Sequence, residues 1–91
     1  AFHAVKDAEF QIFCDHFILS SHRPSDTGLS FELGGSQGNE AMVALLRCGP
    51  RAMPSFTVSD ATGAVFDPDL RSAERMEYRV PANANITILW E

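Results

Sequence analysis

Apolar and polar residues alternate strictly in LSFEL: Leu29, Phe31 and Leu33 point one way, Ser30 and Glu32 the other. A period of two is the signature of a half-buried strand. Upstream, EFQIFCDHFILSS keeps Phe10, Ile12 and Cys14 in one phase and Phe17 and Leu19 in the other. The change at Asp15-His16 predicts a β-bulge or a junction between two strands. The turn HRPSDTG follows, where Pro24, Asp26 and Gly28 supply turn chemistry. GGSQGN and CGPRAMP break the pattern again, and SFTVSD predicts a strand with Phe56 and Val58 inward. DATG predicts a hairpin turn into AVF, residues 64–66. DPDLRSAERM permits one helical turn, with Asp67 as N-cap and Pro68 at the first helical position, or an irregular loop. MEYRVP, a turn at ANAN and ITILW close the chain.

The most apolar stretch, GNEAMVALLRCGP, admits two structures. Glu, Ala, Met, Leu and Arg favour a helix over residues 40–48. An isolated helix of about ten residues is marginal without tertiary packing, however. The flanking segments are strands, and LSFELGGSQGNEAMVALL predicts a hairpin with a long, Gly-rich connection. A strand is therefore preferred. It sends Ala41, Val43 and Leu45 to one face and Met42, Ala44, Leu46 and Cys48 to the other. Antiparallel sandwiches leave one face of each sheet to water, so a strand apolar on both faces calls for cover. That cover is a loop of the same chain such as residues 67–76, a neighbouring domain or a partner. Left uncovered, Met42, Ala44 and Leu46 form a candidate binding surface.

The expected architecture is all-β: one antiparallel β-sandwich of about seven or eight short strands, with room for one short helix. Ninety-one residues make a single domain over 1–91, read as a piece of a larger protein. No apolar run approaches the roughly 20 residues that a membrane-spanning helix needs. A net charge of −5, with seven Lys and Arg scattered along the chain, argues against a nucleic-acid footprint.

The sequence SFELGG, then MVALLRCGPRAMPSFTVSD, then EYRVPANANITILW resembles the C2-like β-sandwich that forms the third domain of calpain-type proteins. There too an alternating strand leads into an apolar strand, then another strand, then a late Val-Pro before the final strand. The resemblance covers residues 29–91. Cys48 stands where that family has Gln, and the family's acidic loop is not evident as a run. The likeness implies a non-catalytic regulatory or docking module and assigns no site.

Candidate chemistry is sparse. Cys14-Asp15-His16 places a thiol and an imidazole two residues apart, about 6–7 Å along an extended chain, too far for a nucleophile and its base. His3, His16, His22, Cys14 and Cys48 lack the paired spacing of a zinc site. Asp60, Asp67 and Asp69 flank the AVF strand and are the candidate calcium ligands, if one end of the sandwich gathers them. No other cofactor is indicated. Asn85-Ile86-Thr87 matches the N-glycosylation sequon at a strand start, where a glycan would crowd the sheet. GGSQGN lacks the Lys and the helix of a phosphate-binding loop.

Two functional classes remain. The first is a non-catalytic module, cytoplasmic, that binds a protein partner or a neighbouring domain. The alternative is a small secreted inhibitor or effector, stapled by a Cys14–Cys48 disulfide that would add roughly 3–4 kcal/mol.

Overall fold

The computed structural model describes residues 2–4 and 10–91, with the side chains of residues 2–4 outside that description. It is all-β. The strands are β1 (Phe2–Ala4), β2 (Phe10–Cys14), β3 (Ile18–His22), β4 (Gly28–Leu33) and β5 (Glu40–Arg47). They continue as β6 (Phe56–Asp60), β7 (Val65–Phe66), β8 (Leu70–Arg71), β9 (Arg75–Pro81) and β10 (Asn85–Trp90). Two five-stranded antiparallel sheets result, ordered β1-β2-β5-β9-β8 and β3-β4-β10-β6-β7. Each is a pair of hairpins joined through a central strand, β5 in the first sheet and β10 in the second.

The period-two segments build the core between the sheets. Phe10, Ile12, Cys14, Val43, Leu45, Tyr78 and Val80 come from the first sheet, and Leu29, Phe31, Leu33, Val58, Ile86 and Ile88 from the second. All are almost fully buried, and among the described residues no polar or charged residue is buried with them. Phe56 packs partly buried against this core, as the inward phase of SFTVSD predicts.

Residues 40–47 form a strand despite their helix propensity. As the central strand, β5 is hydrogen-bonded to β2 on one side and β9 on the other, so tertiary pairing overrides local preference. The phase change at Asp15-His16 is a junction: β2 and β3 belong to different sheets. A separate irregularity lies further on, between Ile18 and Ser20.

Three expectations are corrected. LSFELGGSQGNEAMVALL is not a hairpin, because β4 and β5 lie in opposite sheets and residues 34–39 cross between them. Residues 67–76 form no helical turn. Leu70 and Arg71 pair with Glu77 and Met76, and Ser72 closes the following turn through Arg75. That segment extends the first sheet sideways as an edge strand and does not fold over its outer face. The DATG turn forms as expected. Gly63, at φ 89°, occupies the left-handed position, and Asp60 Oδ1 accepts hydrogen bonds from Thr62 N–H, Thr62 Oγ1 and Ala64 N–H.

Candidate functional site

On the outside of the first sheet, the register aligns Phe13, Ala44, Glu77 and Leu70 across four strands. Rows on either side align Gln11, Leu46 and Arg75, and Met42 with Arg79. Ala44 is fully buried beneath its larger cross-strand neighbours, while Met42, Leu46 and Phe13 are half-buried. The three proposed interface residues thus share one face, in an apolar band along β5. Its border carries both signs of charge. Arg75 is hydrogen-bonded to Glu77, and Arg79 lies 3.1 Å from Asp69 and 3.8 Å from Glu40.

The candidate calcium ligands are not gathered. Asp60 is committed to its own turn, where the Thr62 hydroxyl and the Thr62 and Ala64 amides hold its carboxyl below the usual range. Asp69 pairs with Arg79, and Asp67 is exposed. Among the described residues no three His, Cys, Asp or Glu side chains lie together as a metal-binding group.

No disulfide joins the cysteines. Cys14 lies opposite Val43, and Cys48 is five residues further along, roughly 16 Å at about 3.3 Å per residue. A disulfide needs Cα atoms within about 7 Å. Burial pushes the Cys14 thiol up to about 11, whereas Cys48 is exposed.

The imidazole beside Cys14 faces elsewhere. His16 Nδ1 donates to Asp15 Oδ1 at 2.7 Å, and the same oxygen accepts Met42 N–H at 2.8 Å. Burial works to raise the Asp15 carboxyl, but these hydrogen bonds outweigh it and hold it low. With Phe17 and Gly35 this pair lines a depression of about 370 Å³. His22 is exposed on β3, and the side chain of His3 lies outside the described residues. The sequon falls on the central strand β10, where Thr87 Oγ1 lies 2.7 Å from Ser30 Oγ.

Two surfaces escape sequence reasoning. Phe17 and Leu19, read as the apolar phase of a strand, are 82% and 61% exposed. Alternation could not show this, because Phe17 precedes the edge strand β3 and Leu19 sits at the register shift between Ile18 and Ser20. The second is a groove of about 380 Å³ lined by Ser25, Thr27, Ser55 and Thr57, with Leu89, Trp90 and Glu91. Its residues come from three separated segments, each ordinary as turn or strand chemistry, so no local signal announces it.

Comparison with protein-family models, curated proteins and solved structures finds no match to this chain.

Proposed function

We propose that this domain is a non-catalytic binding module that docks a protein surface on the outer face of its first sheet. The observation that carries this is the pair of half-buried side chains Met42 and Leu46 along the central strand, with Ala44 buried between them, Phe13 beside them and charges of both signs at the border. An apolar centre within a charged rim is the usual anatomy of a protein–protein interface. The occupant that fits best is a second copy of the same face. Two-fold packing would set the arginines of one copy against the acidic residues of the other. The likeness of residues 29–91 to a calpain-type C2-like domain, itself a docking element, points the same way. The stapled alternative is not adopted, because no disulfide joins Cys14 and Cys48.

The test is sedimentation velocity from about 10 μM to 1 mM on the parent and on Met42→Ser/Leu46→Ser, with thermal melts. Reversible dimerisation of the parent, lost in a double variant that still melts cooperatively, is the expected result. A parent that stays monomeric throughout, or a variant that unfolds or associates like the parent, overturns the proposal.

A further inference from the structure

The hydroxyl-lined groove lies at one end of the second sheet, away from the face discussed above. Its walls are fixed by the backbone. Trp90 N–H donates to Thr27 C=O at 2.9 Å, and Glu91 N–H donates to Ser55 C=O at 3.3 Å. The loops carrying Ser25 and Ser55 are thereby held on either side of the end of β10. Gly28 makes the close approach possible: a Cβ there would stand 2.8 Å from Leu89 Cδ2 and 3.0 Å from Ser25 Oγ. Leu89 and Thr57 are register partners on the outward face, Leu89 being 42% exposed.

A second row of hydroxyl side chains lies next to it on the sheet, outside the groove's lining. Ser59, Thr87 and Ser30 lie in one register row across β6, β10 and β4, facing outward like Thr57. Within that row Thr87 Oγ1 and Ser30 Oγ lie 2.7 Å apart and satisfy each other.

This lining selects a ligand class. Four hydroxyls can each donate one hydrogen bond and accept two, a carboxylate accepts, and the Leu89 side chain in the lining offers an apolar surface for C–H groups. None of the lining residues is cationic; Arg23 stands over the Trp90 ring at 5.9 Å and is tied to the Asp26 carbonyl, and the one charge in the lining is the carboxylate of Glu91. The volume lies within the range of about 300–1,000 Å³ typical of small-molecule sites. We infer that this groove binds a neutral carbohydrate, with the sugar's apolar face on Leu89 and its hydroxyls on Ser25, Thr27, Ser55, Thr57 and Glu91.

The experiment titrates ¹⁵N-labelled protein with cellobiose, maltose, lactose and N,N′-diacetylchitobiose, and separately with glycerol and inorganic phosphate. At least one disaccharide should shift the amides of residues 25–27, 55–57 and 89–91, with Kd of order 1 mM, as suits an open site. Thr57→Val, nearly isosteric and solvent-facing, should weaken that binding about tenfold, the worth of one hydrogen bond. Ser55→Ala should act similarly and serves if the first variant alters the fold. Absence of localised shifts with all four disaccharides overturns the inference. Equal shifts with glycerol, stronger shifts with phosphate, or undiminished binding by a folded variant do so as well.

Discussion

Phe10→Ala tests the packing that joins the two sheets. Phe10 projects from β2 and is fully buried. Its ring meets two aromatic rings of the opposite sheet edge-to-face: Phe56 at 4.9 Å and 78°, and Trp90 at 5.1 Å and 82°. Truncating a buried Phe to Ala costs about 3–5 kcal/mol through lost transfer energy and the cavity left behind. Each well-placed aromatic pair is worth about 0.5–1.5 kcal/mol beyond its area. Part of that is already contained in the first figure, so about 4–5 kcal/mol is expected. A domain of this length has a total stability of roughly 5–14 kcal/mol. The loss is therefore a large share of the whole. Urea unfolding followed by circular dichroism reads it, and with m near 1 kcal/mol/M the midpoint should fall by about 4 M or leave no folded baseline. Fluorescence of Trp90 should change in the native state too, because the substitution removes a ring packed against it. Phe10→Leu separates the terms, retaining most of the apolar volume and costing about 1–2 kcal/mol. A loss below about 1 kcal/mol for Phe10→Ala would show that this end of the sandwich repacks freely and that the aromatic cluster does not join the sheets.

In the native protein, a thiol reagent at pH 8 should modify Cys48 rapidly and leave Cys14 unreacted until the chain unfolds; equal rates would refute the burial of Cys14. The raised Cys14 value also sets a sign: its stabilising contribution is complete below about pH 9 and lost as pH rises through about 11, so urea midpoints should decline over that window relative to Cys14→Ala. Gly35→Ala combines left-handed backbone strain at φ 102° with a Cβ placed 2.6 Å from His16 Cδ2, and should cost about 1–3 kcal/mol and raise the Asp15 pKa measured by NMR. Gly38→Ala, at φ 91° with open space around it, should cost less and leave Asp15 alone; identical effects would remove the steric part of the argument.

The strands were legible wherever one face is buried and the other wet. Residues 29–33, 56–60, 75–81 and 85–90 carry that alternation or its Val-, Ile- and Tyr-rich equivalent, and each lies where the pattern puts it. Residues 40–47 were ambiguous because a central strand apolar on both faces has no period to read. Partner assignment was not legible at all. Gly-rich residues 34–39 look like a hairpin turn, yet they carry the chain to the other sheet. Local turn chemistry states that the chain reverses and says nothing about which strand it then meets. Residues 70–71 illustrate the opposite failure, since Asp67-Pro68 suits a helix start but the backbone of β9 offers better hydrogen bonding. The hydroxyl groove is purely topological: nothing near Ser25 in sequence refers to Ser55 or Glu91.

The position of β10 governs how the chain can be made. Four hairpins, β1-β2, β3-β4, β6-β7 and β8-β9, can each close as soon as their own residues leave the ribosome. The second sheet cannot, because its central strand spans residues 85–90 and the two hairpins that flank it must wait for it. Until those residues emerge, β4 and β6 each present an unpaired edge to the crowded surroundings of a nascent chain. Sandwiches dominated by such distant pairings fold in milliseconds to seconds, so the vulnerable interval outlasts the emergence of β10 itself. Deleting residues 86–90 would accordingly cut the second sheet into two separate hairpins.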